Sequence, residues 1–314
     1  MSTSSSPQIL DAIIDSWWRS HAKAASGPSF ASDREAEKLV RENLFAFLLA
    51  ASIDRGGNAF ALWNIPCRLK QEWGHLDPER IQVMAPEVLA ADPVIAHAPS
   101  QVSRYQLAKT IISLAQVVQT QYGGSPERML EGSVSDIMDS LQRVFGIGPN
   151  IARMIIILRI LYFELEPERR GRLLPKLDVH VQRVLERAGL VSAATDESVG
   201  QLLADRSMRD IAVIDQACWD IGRRHCRPND PKCEQCPVAR CCPKIGIASS
   251  KSELGSEVAR KRRRARQRNG PTFVFTYALP PGMTVEEARE RCVEAISALL
   301  AEAPSRRNDD GISP

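Results

Sequence analysis

An all-α fold is predicted for the first 245 residues by three observations. Apolar side chains recur at helical spacing in segment after segment, strand-like alternation is scarce before TFVFTYAL at 272–279, and Pro and Gly gather in short clusters between the helical segments. With 314 residues, 44% hydrophobic and 25% charged, the chain has ordinary globular composition and length for one large or two medium domains. Apolar content of this size excludes disorder throughout.

The first helical stretch is DREAEKLVRENLFAFLLAAS at 33–52, where apolar residues follow an acidic first turn. RYQLAKTIISLAQVVQTQ at 104–121 reads the same way, as do 134–144, 149–164, 179–188 and 208–222. The Pro and Gly clusters at 86–99, 123–126, 165–175 and 227–237 read as loops. Residues 246–271 are polar, basic and Gly-containing and read as a linker. Beyond it, one strand and one amphipathic helix at 272–303 form a βα extension too small to fold alone. The tail 304–314 is expected to be disordered.

A membrane span is not expected, since the longest apolar run, Met154 to Phe163, is short and contains Arg159. The Ser-rich start lacks an apolar signal core, so a cytoplasmic protein is expected. Eight Cys in such a chain point to metal or redox chemistry rather than disulfides. The net charge of +3 has a local source: RKRRRARQR at 260–268 carries seven basic residues. Removing those seven leaves 34 basic against 38 acidic residues, a net charge of −4. A dense basic run attracts polyanions such as nucleic acid, and it reads equally as a solvated linker.

Three segments carry chemistry. The first is HCRPNDPKCEQCPVARCCPK at 225–244, which spaces Cys226, Cys233, Cys236 and Cys242 as C-x6-C-x2-C-x5-C in a loop stiffened by Pro228, Pro231 and Pro237. Four thiolates on one short loop suit a tetrahedral zinc or an iron–sulfur centre, and Cys241 competes with Cys242 as fourth ligand. Cys67, Cys218 and Cys292 sit in apolar contexts and read as core thiols. The second is LQRVFGIGPNIARMIIIL at 141–158. Two Gly permit a tight turn, Pro149 suits the first helical position, and the free N–H groups of a new helix can hold a phosphate. A plain helix–turn–helix corner has the same pattern. The third is LDVHVQRVL at 177–185. Asp178 is placed to cap a helix, or, in a cleft, to stabilise a developing positive charge on a sugar. His180, on the same helix, reads as a structural or phosphate-contacting residue.

In this order, GIGPNIA at 146–152, LDVHVQRV at 177–184 and the cysteine loop at 226–242 resemble the helix-hairpin-helix (HhH-GPD) DNA glycosylases of the endonuclease III branch. FLLAASID at 47–54 is similar to that family's early helix. The resemblance covers about residues 38–245. It implies a two-lobed all-α fold with a [4Fe–4S] cluster loop: a helical barrel lobe at 38–165 with the hairpin, and a cluster lobe formed by 166–245 with the N-terminal segment 1–37. It implies a monomer working at the nucleoid on double-stranded DNA, which flips a damaged or mispaired base into the interlobe cleft. By the same resemblance Asp178 is the catalytic carboxylate, and Cys226, Cys233, Cys236 and Cys242 are the cluster ligands. Gly146, Ile147, Gly148, Arg183 and Arg227 contact DNA, with Arg223, Arg224 and Lys232 of the cluster loop and its flank pressing on the backbone.

There are departures from the family pattern. Asn150 stands where the bifunctional members carry the Lys that attacks the sugar, so a monofunctional glycosylase is expected. A relocated amine, Lys176, would restore lyase chemistry, and a binding-only protein would need no catalyst. The family's gap-filling Gln falls on Ala51, and the loop before Asp178 is extended by EPERRGRLLPK.

Overall fold

Asn43 divides the first long apolar stretch. It ends helix α2 (Arg34–Glu42) with its backbone N–H on the Leu39 carbonyl, and its side chain accepts from the Ala46 N–H to start α3 (Leu44–Ile53). One helix was expected at 33–52, and an Asn that both ends one helix and caps the next makes two. The computed structural model describes residues 6–21, 29–168 and 171–247. The predicted linker, βα extension, basic run and tail therefore lie outside the described residues, as does Cys292.

The remaining helices are α1 (Ser6–His21), α4 (Ala59–Leu62), α5 (Ile65–Trp73), α6 (Pro78–Ile81), α7 (Pro86–Ala91), α8 (Pro93–Ala96), α9 (Arg104–Tyr122), α10 (Val134–Gln142), α11 (Pro149–Tyr162), α12 (Val179–Arg187), α13 (Asp196–Leu202) and α14 (Met208–Arg224). The only β pairing among the described residues is two isolated bridges, Gly57 with Ser100 and Ser133 with Glu168. Residues 86–99, expected as loop, hold α7 and α8. Each starts with Pro at its first position, where the missing N–H costs no hydrogen bond, and Asp92 accepts from the Val94 N–H to cap α8.

Helix α3 is buried along Phe45–Ile53, as a helix apolar on every face must be. It packs against α2, α5, α9 and α11. Helices α6, α7 and α8 lie on α9. On the other side, α14 packs against α1, α11 and α12. Ile9, Leu10, Ile13 and Trp17 form the buried stripe of α1. No helix among the described residues is long and apolar enough to cross a membrane.

Helices α12 and α14 are in close contact at Gly222. A Cβ there would lie 2.9 Å from the His180 carbonyl oxygen and 2.8 Å from the His180 Cβ. Gly222→Ala is therefore expected to destabilise the protein by about 1–3 kcal/mol through overpacking. Chemical denaturation measures this, and an unchanged midpoint would show that the helices have room to part.

Candidate functional site

The hairpin is built by local backbone rules. Helix α10 ends at Arg143, Gly146 takes φ +86°, and Gly148 caps α11 with Pro149 at the first helical position. Gly146 is needed twice over, since a Cβ on it would also meet the Arg55 guanidinium at 2.5 Å. Arg55 donates from Nη1 to the Gly146 carbonyl at 2.7 Å and from Nη2 to Thr110 Oγ1 at 2.6 Å, tying the end of α3 to the hairpin. Burial lowers the Arg55 pKa. Ile147 is buried in the core, so its side chain does not face a ligand, and only its backbone remains for the DNA contact expected of it. The exposed ring is Phe145, with Lys109 Nζ 4.4 Å from its centroid.

A cleft opens beside these elements. Its lining includes Asp54, Arg55, Asn58, Met154, Lys176, Asp178, His180 and Asp215. Its walls are aromatic: Trp63 stacks on Phe30 at 4.9 Å, Trp17 stacks on His21 at 3.6 Å, and Trp219 lies under the Arg223 guanidinium at 4.4 Å. Asp54, from the end of α3, accepts from Trp63 Nε1 at 3.0 Å.

Asp178 takes the capping position and also lies in the cleft. Its Oδ1 accepts from the His180 and Val181 N–H groups at 2.8 and 3.0 Å, which caps α12, and its side chain lines the cleft. Both bonds fall on Oδ1, so Oδ2 is free of protein donors among the described residues. Lys176 enters the same cleft, with Nζ 3.4 Å from Met154 Sδ. Asn150 does not. It is exposed and lines a shallow depression with Gly148, Arg153, Gln182 and Asp196, while Ile151, Met154 and Leu158 of the same helix face the cleft. Proximity in sequence to the hairpin thus does not bring Asn150 to Asp178. Ala51, at the expected gap-filling position, is fully buried.

Arg183, expected at the DNA, is engaged within the protein. Its guanidinium donates to the carbonyls of Cys226, Val179 and Gly222 at 2.5, 2.9 and 2.9 Å, and Nη2 also lies 3.0 Å from His180 Nδ1. These bonds tie α12 to α14 and the cysteine loop. Arg227 and Lys232 are exposed, Arg223 is held over Trp219, and Arg224 pairs with Asp220 at 2.7 Å.

The cysteine loop starts where α14 ends. Cys226, Cys233, Cys236 and Cys242 line one cavity with Val184, Ile221 and His225, and Cys241 is not in its lining. Arg187 holds the loop at both ends: Nη1 donates to the Arg227 carbonyl and Nη2 to that of Pro228, and its own carbonyl accepts from Cys242 Sγ. His225 Nδ1 is buried without a hydrogen-bond partner among the described residues. Burial, with the neighbouring thiols, pushes the Cys236 thiol up to about 11 and raises that of Cys242. Cys67 and Cys218 are buried core thiols.

Asp215 escapes a reading by local motif. It is 2% exposed on α14, accepting from the Lys176 N–H at 2.6 Å and from Gln216 Nε2 at 3.0 Å. The available signal was an acid in the apolar register of IAVIDQACW at 211–219. Burial, opposed by those two donors and aided by the charge of Asp178, pushes its pKa up from 3.8 to about 7.

The chain is 26% identical to endonuclease III of Thermotoga maritima over 140 residues, covering 44% of this chain and 56% of that protein. It is 24% identical to adenine DNA glycosylase of Buchnera aphidicola over 144 residues, covering 44% of this chain and 36% of that protein. The chain spans about half the length of the endonuclease III it matches, and no protein-family model matches it. Among solved structures, an endonuclease III trapped as a covalent intermediate with DNA superposes with a TM-score of 0.54 at 18% identity, covering 77% of this chain and 97% of that one. A thermostable thymine-DNA glycosylase superposes with a TM-score of 0.51 at 17% identity, covering 76% and 95%. The shared fold is the all-α endonuclease III-like one.

The raised pKa of Asp215 has a consequence for stability. Between about pH 4 and pH 7 the native state keeps a proton on Asp215 that the unfolded chain has released, so stability falls as pH rises through that window. Asp215→Asn removes the charge and keeps an oxygen for the Lys176 N–H. Its denaturation midpoint is expected to match wild type near about pH 4 and to exceed it near about pH 8. A pH-independent gap would show that Asp215 titrates like an exposed carboxylate.

Proposed function

We propose that this chain, which belongs to the helix-hairpin-helix DNA glycosylase superfamily, hydrolyses the N-glycosidic bond of a damaged or mispaired base in double-stranded DNA. The observation that carries the reading is Asp178, oriented by two backbone N–H groups through one oxygen while its side chain lines an aromatic-walled cleft. A glycosidic bond is unreachable inside a duplex, so the nucleotide must be flipped into such a cleft. Phe60 and Trp219, the more exposed rings of the cleft, offer faces on which a base stacks. Asp178 Oδ2 then stabilises positive charge developing on the sugar and guides the attacking water. The N–H groups at the start of α11, with Arg227 and Lys232, suit backbone phosphates. Work on chromosomal DNA implies a nucleoid-associated, cytoplasmic protein.

A second reading, glycosylase with lyase activity, is favoured by one placement: Lys176, not Asn150, shares the cleft with Asp178. Duplexes carrying one modified or mispaired base each, assayed with and without alkali and with borohydride, separate the readings. We expect base release that leaves an intact abasic strand, reduced about 100-fold or more in Asp178→Asn with DNA binding retained. A borohydride adduct that disappears in Lys176→Ala would replace the monofunctional reading by the second. Base release undiminished in Asp178→Asn would overturn both.

We also infer that the cysteine loop holds a [4Fe–4S] cluster. Cys226, Cys233, Cys236 and Cys242 line one cavity and Cys241 does not. Their uneven C-x6-C-x2-C-x5-C spacing, with a single C-x2-C pair, suits a polynuclear cluster, in which each iron takes one thiolate, better than a structural zinc site. When bound, the cluster supplies four iron–thiolate bonds that cross-link the loop. Protein made under iron-replete, anaerobic conditions is expected to carry about four irons per chain. Cys242→Ser should lower that content more than Cys241→Ser, and stoichiometric zinc without iron would overturn the inference.

A further inference from the structure

We propose that Asp215 is the positioning residue of the cleft: its buried carboxyl fixes the Lys176–Asp178 segment, so that the Asp178 carboxylate and the Lys176 side chain are held toward the reacting sugar. This rests on the glycosylase reading of the same cleft.

A continuous hydrogen-bonded path carries the argument. Asp215 Oδ1 accepts from the Lys176 N–H at 2.6 Å. The Lys176 carbonyl accepts from the Asp178 N–H at 2.7 Å. Asp178 Oδ1 then accepts from the His180 and Val181 N–H groups that open α12. Pro175 and Leu177 are buried on either side of Lys176, so the segment is gripped by packing as well as by Asp215. An extended segment has no helical or ladder partner for its own N–H groups, and here α14 supplies the acceptor.

The acceptor is an unusual choice. Asp215 sits among Ile214, Ala217 and Cys218, where an ionised carboxyl is costly to bury. Lys176 and Asp178 face it from the segment, Tyr162 from α11 and Cys218 from α14 itself, while His180 of α12 and His21 of α1 line the same cleft. A group that burdens the fold while holding cleft residues in place belongs to function more than to stability. Asp215 is too enclosed to touch a nucleotide, so it acts through Asp178 and Lys176.

The test compares wild type, Asp215→Ala and Asp215→Asn by two measurements. Amide hydrogen exchange at Lys176 reads the clamp. Affinity for a duplex bearing a cationic pyrrolidine abasic nucleotide, against one bearing a neutral tetrahydrofuran abasic nucleotide, reads how well the cleft is arranged for a cationic sugar. This pair requires no knowledge of the base. In Asp215→Ala the Lys176 amide is expected to lose protection. Its preference for the cationic duplex should fall about tenfold to a hundredfold, with affinity for the neutral duplex within about twofold of wild type. Asp215→Asn keeps an acceptor and should retain both protection and most of the preference. A protected Lys176 amide or an unchanged preference in Asp215→Ala overturns the proposal. If Asp215→Ala does not fold, Asp215→Asn decides: lost preference with the Lys176 amide still protected would mean that charge, not position, matters. A wild-type protein without any preference would overturn the glycosylase reading instead, and the exchange data would then judge the clamp alone.

Discussion

The close contact between α12 and α14 at Gly222 sets the geometry of everything functional in the described residues. Because Gly222 has no side chain, the His180 backbone comes within 3.0 Å of where a Cβ would be. Arg183 then reaches the carbonyls of both Gly222 and Cys226. Asp178, one residue before α12, and Cys226, two residues beyond α14, are thereby fixed relative to each other. One helix pair positions both the cleft carboxylate and the start of the cysteine loop, so a change in its spacing would be felt at both.

The cleft is a compromise between solvation and placement. Asp178 stays half-buried and keeps one oxygen toward the cleft, with its other oxygen held by the start of α12. Asp215, two elements away in sequence, is sealed from water and carries a pKa pushed up to about 7. Two carboxyls in one cleft thus meet different environments, which is how a single site assigns separate tasks to chemically identical groups. The aromatic walls lower the dielectric around both and offer flat apolar surface to a planar ligand. The cysteine loop follows a similar logic. Four thiols line one cavity, and burial makes the thiolate forms of Cys236 and Cys242 unfavourable there.

The helices read at 104–121, 134–144, 149–164, 179–188 and 208–222 were legible in sequence because capping and periodicity are local, whereas the short α4, α5, α6 and α13 were not read. Ser133 and Ser207, and the Gly148–Pro149 pair, act on backbone within one turn. The Asn43 break in α3's approach and the Pro-started helices α7 and α8 were missed for a related reason. An Asn inside an apolar run and a cluster of Pro each have two local readings, and only the packing of α3 and α9 selects one. Helix α1 carries a clear apolar stripe, but its Ser-rich start masked it, and its partner α14 lies about 200 residues away in the chain.

The sequence by itself determined the all-α class, the hairpin turn, the cap at Asp178 and the spacing of four cysteines, because each depends on residues within a few positions of one another. Tertiary structure alone decided which side chains share a cleft. It brought Lys176 to Asp178 and left Asn150 outside, turned Arg183 inward onto carbonyls, buried Ile147, and placed Asp215 against the Lys176 amide. The physical reason is that a side chain's partners follow from the angle and distance at which helices pack, and those follow from the volumes of residues far apart in the chain.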